Sequence, residues 1–307
     1  MTNSWWEIKI ICDPILEESI FWRLDKFGCS GTATEFKPHK KSCLISAYLP
    51  KINAEFLDIA ALTLWLKQDA MIMDTTPPVT RWQLIDEENW HQNWKDQWQP
   101  LDVGSTLLIY PAWLEYPTET TRTLLRLDPG VAFGTGTHAT TQLCLESLEM
   151  RLLYPMEGQE HPVIADIGCG SGILGIAAAL MGAAKVYGVD TDPLAMKAAK
   201  ENRNLNSLDQ NDFLIKQGSV ETLIDMGIGP CDGIVCNILA EIIIEIIPKL
   251  DGLIKPTTWA IFSGILLDQA KSIAETLEQN GWLVATLWKR GEWCCFNARR
   301  DPEFEKV

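Results

Sequence analysis

The 307-residue sequence lacks C-x-x-C motifs and has few histidines, and both features argue against a structural metal site. Its nine cysteines are scattered without a C-x-x-C pair, and only four histidines are present, so no zinc site is expected. Several thiols, such as those of Cys43 and Cys236, fall inside apolar runs. We expect them to be buried and reduced, which favours a cytoplasmic location.

Long apolar runs and an excess of basic residues are also missing. The N-terminal residues MTNSWWEIK contain no apolar core of a secretory signal, and no stretch approaches the roughly 20 apolar residues that span a bilayer. No membrane partner is therefore expected. With 26 Lys and Arg against 41 Asp and Glu, the net charge is −15, and direct nucleic-acid binding is not expected.

The most informative stretch, residues 163–192, reads VIADIGCGSGILGIAAALMGAAKVYGVDTD. An apolar run leads into glycines at alternate positions, Gly168, Gly170 and Gly172, and a helical stretch and a second apolar run ending in Asp190 follow. This pattern predicts strand, tight turn, helix and strand. Ligands bind at the carboxyl ends of parallel strands, where an acid about 20 residues after the glycines can accept ribose hydroxyls. A nucleoside-bearing cofactor is predicted.

The glycine spacing leaves two cofactors open. Gly170, Gly172 and Gly175 match G-x-G-x-x-G, the dinucleotide fingerprint, which alone would indicate a nicotinamide-dependent oxidoreductase. Asp166, inside the first strand, suits a cationic ligand such as the ammonium of S-adenosylmethionine and does not suit a pyrophosphate. We therefore favour S-adenosylmethionine and keep the nicotinamide enzyme as the alternative.

The alternation of strands and helices predicts an α/β fold with two domains. Residues 123–307 predict a doubly wound, mostly parallel sheet with helices on both faces and a closing hairpin. Residues 1–85 predict a smaller α+β domain for substrate recognition. Residues 86–122 are expected to connect the two.

A tryptophan stripe marks the connector. Trp90, Trp94 and Trp98 recur at i, i+4 and i+8, which predicts a helix with one aromatic face. We expect this face to pack against a neighbouring domain, with direct substrate capture as the alternative.

The segment 127–141, LDPGVAFGTGTHATT, predicts a glycine-rich loop followed by a helix. This loop, which carries several hydroxyl groups, is expected to fold over the cofactor. A second interpretation makes Thr140 or Thr141 only the N-cap of that helix. His138 is the candidate base, although a histidine beside glycines is more often structural.

Two further strand ends are expected at the same crevice. The strand before Ser219 would place the adenine there, and another strand ends at Asn237. A lysine ammonium has no lone pair, so the site must bind the neutral amine. The Asn237 side-chain oxygen and the carbonyl of Ile238 or Leu239 would orient its nitrogen toward the methyl group. Asn237 is the predicted catalytic residue, with a helix N-cap as its alternative role.

Four motifs, in this order, are LDPGVAFGTGTHATT, ADIGCGSGILGIAA, GVDTDP and NILA. Together they closely resemble the family that methylates large-subunit ribosomal protein eleven (L-eleven), over nearly the whole chain, and NWKDQWQP resembles the segment joining that family's domains. Ala139 stands where many members carry Pro, which is a minor departure.

The resemblance implies a seven-stranded, Rossmann-like class I methyltransferase domain behind a ferredoxin-like N-terminal domain. It also implies a protein-lysine N-methyltransferase that uses S-adenosyl-L-methionine, with the lysine side chains and the N-terminal amine of ribosomal protein eleven as acceptors. The residues that it places at the cofactor are Thr141, Gly168, Asp190 and Asn237.

The complete set of predicted cofactor residues adds those expected from the strand ends and the glycine turn. It consists of Thr141, Gly168, Asp190, Asn237, Asp166, Gly170 and Ser219. Two alternatives stay open beside the oxidoreductase. One is a methyltransferase of the same architecture acting on the lysines of another protein, and the other is a non-enzymatic ribosome-assembly factor with a vestigial cofactor site.

Overall fold

The computed structural model describes residues 4–36, 42–86, 99–117, 120–128, 136–154 and 161–304. The chain forms two compact units, Met1–Trp98 and Gln99–Val307. Residues 99–122 of the expected connector therefore group with the second unit. The predicted tryptophan stripe, Trp90, Trp94 and Trp98, lies outside the described residues. Within the described residues, no helix has both the length and the apolar character needed to cross a membrane.

The first unit alternates strands and helices in the order strand–helix–strand–strand–helix–strand. The elements are β1 (Ser4–Cys12), α1 (Glu17–Lys26), β2 (Ser30–Phe36), β3 (Cys43–Pro50), α2 (Phe56–Ile72) and β4 (Val79–Asp86). The strands form an antiparallel sheet in the order β2-β3-β1-β4. Ferredoxin-like domains have this order of elements.

The first unit is held together by one apolar core. Alternate residues of β1, including Ile8 and Ile10, are fully buried, and so are Leu24 of α1 and Leu62 of α2. Each such side chain contributes about 1.5–3 kcal/mol when it is removed from water. The period of two in the strands and the apolar stripe of the helices therefore determine which faces meet.

The second unit contains most of the regular structure. Its elements are β5 (Leu101–Val103), β6 (Leu107–Pro111), β7 (Thr123–Leu127), α3 (Ala139–Leu153), β8 (Val163–Ile167), α4 (Ile173–Leu180), β9 (Lys185–Asp190), α5 (Pro193–Leu205), β10 (Phe213–Gln217), α6 (Val220–Asp225), β11 (Gly233–Asn237), α7 (Ala240–Ile246), β12 (Trp259–Leu266), α8 (Ala270–Gln279), β13 (Trp282–Arg290) and β14 (Trp293–Arg300).

The large sheet of this unit has seven strands in the order β10-β9-β8-β11-β12-β14-β13. Strands β8 to β12 pair in parallel, and β14 runs antiparallel to both β12 and β13. The predicted α/β fold with a mostly parallel sheet is confirmed. The chain runs outward from β8 to β10 and then returns to β11 on the other side of β8. The ends of β8 and β11 therefore flank a topological switch point, where such sheets bind ligands.

A smaller sheet, β5-β6-β7, is tied to α3 by one carboxylate. Glu149 of α3 is mostly buried and accepts hydrogen bonds from the backbone N–H groups of Ser105 (2.9 Å) and Thr106 (2.5 Å). Burial opposes ionisation, but the hydrogen bonds from Thr106 and Ser105 outweigh it and lower the pKa of Glu149. This contact fixes the helix whose first turn reaches the switch point.

Candidate active site

The turn after β8 depends on glycine. Gly168, Gly170 and Gly172 have φ values of +72°, +54° and +83°, a region that other L-residues rarely adopt. A Cβ on Gly168 would also lie only 2.3 Å from Cγ2 of Ile238. The N–H of Gly168 donates to the carbonyl of Val189 at 2.9 Å. The turn is thus held between the end of β9 and the segment that follows β11.

Gly175, which completes the dinucleotide-like spacing, lies within α4 and has a different role. A Cβ at this position would lie 2.3 Å from the ring of Phe213 on β10. The residue therefore permits close packing of the helix on the sheet. The third glycine of the dinucleotide fingerprint has the same packing role, so Gly175 does not decide between the two cofactors.

Asp190 ends β9 and lines the cavity at the switch point. Its Oδ2 accepts from the N–H of Gly170 at 2.8 Å, and its Oδ1 accepts from the N–H of Asp192 at 2.9 Å. An ionised carboxylate accepts about four hydrogen bonds, so each oxygen keeps capacity for one more donor. The geometry suits two adjacent hydroxyl groups.

Asp166 lies within β8 and is only 1% exposed. Its Oδ2 accepts from the N–H of Gly175 at 2.9 Å, whereas its Oδ1 has no hydrogen-bond partner among the described residues. Burial raises the pKa of Asp166 to about 7, the Gly175 hydrogen bond opposes the shift, and the charge of Asp190 adds to it. This carboxyl is the kind of group that a nearby cation would ionise.

Asn237 ends β11 and carries a second unpaired acceptor. Its Nδ2 donates to Oγ1 of Thr141 at 3.3 Å, and its buried Oδ1 has no partner among the described residues. The N-cap of α7 is Leu239, which makes no side-chain capping bond. The alternative that Asn237 caps this helix is therefore wrong, and its buried oxygen is left available for a ligand.

The N-cap of α3 is His138, so the alternative that Thr140 or Thr141 fills this role is wrong. Nδ1 of His138 accepts from the N–H of Thr140 at 3.4 Å, and the helix begins at Ala139. Thr140 lines the cavity, whereas Thr141 is fully buried and contacts Asn237. Burial lowers the pKa of His138, which favours the neutral imidazole. A role for His138 as a base stays a prediction.

A cavity of about 400 Å³ lies along the carboxyl edge of the sheet, and Thr141 and Asp166 are not part of its wall among the described residues. Four of the predicted cofactor residues are part of its wall, namely Gly168, Gly170, Asp190 and Asn237. The predicted Ser219 is the half-buried N-cap of α6 and lies outside the wall formed by the described residues. Its neighbour Gly218 donates its N–H to the carbonyl of Asp190 at 2.9 Å, which places this strand end beside that of β9. The adenine assignment of Ser219 stays a prediction.

Several wall residues were not predicted from the sequence, of which Gly264 and Trp293 are the most informative. Gly264 has φ of +86°, and a Cβ on it would lie 2.1 Å from the carbonyl oxygen of Ile238. A glycine inside a strand pattern signals such a close backbone approach. Trp293 begins β14 and packs edge-on to His138, with ring centroids 4.8 Å apart. No local signal in the sequence marks Trp293.

Comparison with known proteins gives a consistent result. The family model described as ribosomal protein L11 methyltransferase matches residues 4–301. A curated relative of that name from Cyanothece sp. is 53% identical over 300 residues, which cover 98% of this chain and 100% of the relative. A second, from Thermosynechococcus vestitus, is 49% identical over 299 residues, which cover 97% of this chain and 98% of the relative.

A solved structure agrees with these relatives. The crystal structure of a ribosomal protein L11 methylase from Lactobacillus delbrueckii subsp. bulgaricus is 35% identical and superimposes with a TM-score of 0.59. The match covers 66% of this chain and 100% of that chain.

Proposed function

The chain belongs to the ribosomal protein L11 methyltransferase family, and on that premise we propose its reaction. It transfers methyl groups from S-adenosylmethionine to lysine side-chain amines and to the N-terminal amine of ribosomal protein L11. The observation that carries this proposal is the buried Oδ1 of Asn237, an acceptor without a partner among the described residues at the wall of the cavity. A substrate N–H would supply the missing donor.

The cavity fits the cofactor in two respects. The glycine turn leaves room where a Cβ on Gly168 would collide, and Asp190 keeps capacity for two hydroxyl groups. Asp166 is buried outside the wall formed by the described residues, and its Oδ1, unpaired among them, supports a cation nearby. When bound, S-adenosylmethionine supplies an electrophilic methyl group on a sulfonium. We assign Thr141, Gly168, Gly170, Asp166, Asp190, Ser219 and Asn237 to its binding site.

The wall of the cavity favours an uncharged amine. Ile238, Leu239, Ile242 and Trp293 contribute apolar surface to it. A lysine amine has a pKa of about 10.4 in water, and an apolar surrounding lowers that pKa because it disfavours the charged form. The proton therefore leaves to solvent before attack, and no strong base is required.

Asn237 then orients the neutral amine. Its Oδ1 accepts one amine N–H, which aims the nitrogen lone pair away from the amide. The bond from Nδ2 to Thr141 holds this amide in one orientation, so Oδ1 remains the acceptor. Because no charge has to be relayed, catalysis comes mainly from position and orientation.

The partner and location follow from the same premise. We propose ribosomal protein L11 as the substrate, bound through the first unit, and we propose the cytoplasm, where ribosomal proteins are made, as the location. The strong negative charge of the chain, −15, complements a basic protein substrate.

The direct test is intact-mass analysis of a mixture of ribosomal proteins incubated with this protein and S-adenosylmethionine. We expect L11 alone to gain mass in steps of one methyl group, and we expect Asn237→Ala to add methyl groups about a hundredfold more slowly. Methylation of another protein instead would identify a different substrate. If no protein gains mass, while an active L11 methyltransferase from another organism methylates L11 in a parallel reaction, the proposed reaction is contradicted.

Binding of the cofactor can be tested separately by thermal unfolding. A ligand at tenfold its Kd stabilises the folded state by about 1.4 kcal/mol. We expect this shift with S-adenosylmethionine and none with NAD. The opposite result would favour the oxidoreductase alternative.

A further inference from the structure

Asn202 of α5 and Asn206, the C-cap of that helix, bond to the end of β7 and to the residue after it. Oδ1 of Asn206 accepts from the N–H of Arg126 at 2.8 Å, and its Nδ2 donates to the Arg126 carbonyl at 2.7 Å. Two residues further along, Oδ1 of Asn202 accepts from the N–H of Asp128 at 2.8 Å. Residues four apart lie on one helical face, so both side chains fasten α5 to β7.

Asn202 makes one contact that Asn206 does not. Its Nδ2 donates to the carbonyl of Ser171 at 2.9 Å, inside the glycine turn, and both residues are fully buried. One helical turn earlier, Ala199 packs against the same turn, because a Cβ on Gly172 would lie 3.1 Å from its Cα. Helix α5 therefore supports the glycine turn through two neighbouring positions.

The turn needs such support because its own residues constrain it weakly. Glycine has more backbone freedom than any other residue, and Gly168, Gly170 and Gly172 fall within five positions. A buried carbonyl without a donor also costs free energy, and the Nδ2 of Asn202 supplies the donor for Ser171. Two peptides toward the N-terminus, within the same turn, the N–H of Gly170 donates to Asp190.

We propose that Asn202 is a positioning residue for methyl-donor binding. It fixes the carbonyl of Ser171 and so steadies the turn from which the N–H of Gly170 donates to Asp190 at the cavity wall. Asn202 has no contact with the cavity among the described residues and acts through the turn. The inference rests on the proposed function only in taking S-adenosylmethionine as the ligand.

The structure offers a matched pair of variants. Asn202→Asp keeps an acceptor for Asp128 and replaces the donor to Ser171 with an oxygen that repels the carbonyl. Asn206→Asp makes the same change at the C-cap of the same helix, where Nδ2 donates to the carbonyls of Arg126 and Asn202 and not to the turn. We expect both to lower Tm. Only Asn202→Asp should raise the Kd of S-adenosylmethionine, roughly tenfold, the upper range for one lost hydrogen bond.

Kinetics separate positioning from general destabilisation. For Asn202→Asp we expect KM for S-adenosylmethionine to rise by the same factor as Kd, while kcat at saturating cofactor stays within about twofold of wild type, because the reacting groups are untouched. If Asn202→Asp does not fold, Asn202→Ala with Asn206→Ala as its control tests the same contact.

Equal Kd values for S-adenosylmethionine in wild type and the Asn202 variant would overturn the inference. So would equal increases in both variants of a pair, because the effect would then be general. Wild-type protein that binds no S-adenosylmethionine would instead contradict the proposed function, so the two failures are distinguishable.

Discussion

The Nδ2 of Asn237 donates a hydrogen bond to Oγ1 of Thr141, 3.3 Å away and 96 positions earlier in the chain. The hydroxyl is in the first turn of α3, and the amide is at the end of β11. The bond thus joins the start of a helix to the carboxyl edge of the sheet. It also makes the two ends of the amide unequal, because Nδ2 is paired and Oδ1 has no partner among the described residues.

Removing the Thr141 hydroxyl should impair both catalysis and folding. Thr141→Val keeps the shape of the side chain but leaves Nδ2 of Asn237 unpaired, so the amide can turn over. We expect a loss of about 1–3 kcal/mol in the free energy of unfolding and roughly a tenfold fall in kcat. Thr141→Ser, which retains the hydroxyl, is the control. Equal kcat values for the two variants would show that the hydroxyl does not orient Asn237.

Truncating Asn237 should leave the substrate amine poorly oriented toward the methyl group. We expect Asn237→Ala to lower kcat about a hundredfold, a size typical of misplaced reacting groups. Steady-state kinetics with saturating S-adenosylmethionine measure this effect. Asn280→Ala is the control, since that side chain donates to the carbonyl of Thr276 at 2.8 Å in a helix end away from the cavity. A kcat for Asn237→Ala close to that of the control would remove Asn237 from the mechanism.

The regular part of the fold could be predicted because its signals are local. The parallel strands β8 to β11 are short apolar runs, and each ends at a polar residue or directly before a glycine, as Phe213–Gln217 does. Strand β2, Ser30–Phe36, gives no such signal, because SGTATEF has no apolar alternation. It forms by pairing with β3, a non-local contact that local pattern does not reveal.

The site was predictable to the extent that it lies at strand ends. Gly168, Gly170, Asp190 and Asn237 line one cavity because parallel strands bring their carboxyl ends together. The phase of α3 was not predictable: with His138 as the N-cap, Thr140 faces the cavity and Thr141 faces Asn237. Residues from later strands reach the wall only through tertiary packing.

Asp190 should determine affinity for the cofactor. Asp190→Asn keeps the size of the side chain but removes the charge and one acceptor, so we expect the Kd of S-adenosylmethionine to rise roughly tenfold or more. Isothermal titration calorimetry measures the change. Asp192→Asn is a close control, because this residue caps α5 by accepting from the N–H of Leu194, and asparagine caps equally well. A similar Kd in both variants would argue against a ribose contact at Asp190.

Asp166 should make stability depend on pH. Its pKa is about 7 in the folded protein and about 3.9 in an unfolded chain, so the folded state binds the extra proton between these values. Its contribution is complete below about pH 4 and is lost as the pH rises through 7. Asp166→Asn should therefore flatten the decline in free energy of unfolding between pH 5 and pH 8, measured with urea. An unchanged decline would place the titration elsewhere.

The same carboxyl tests the predicted contact with the ammonium of S-adenosylmethionine. A cation beside its unpaired Oδ1 would favour the ionised form, so binding near pH 6 should release a proton. Calorimetry in two buffers of different ionisation enthalpy measures that release. We expect Asp166→Asn to bind S-adenosylmethionine without releasing a proton. Equal proton release in wild type and variant would separate Asp166 from the ligand.

Gly264 provides a steric test of the backbone beside Asn237. Gly264→Ala and Gly182→Ala both place a Cβ at positive φ, +86° and +103°, which costs about 1–2 kcal/mol in either case. Only at Gly264 would the new Cβ lie 2.1 Å from the carbonyl oxygen of Ile238, since nothing lies within 4 Å at Gly182. The backbone after Asn237 must therefore move. We expect Gly182→Ala to lower Tm with unchanged kcat, and Gly264→Ala to lower Tm further and kcat about tenfold or more. If kcat were equal in the two variants, the position of the Ile238 carbonyl would be irrelevant to transfer, and orientation of the amine would rest on Asn237 alone.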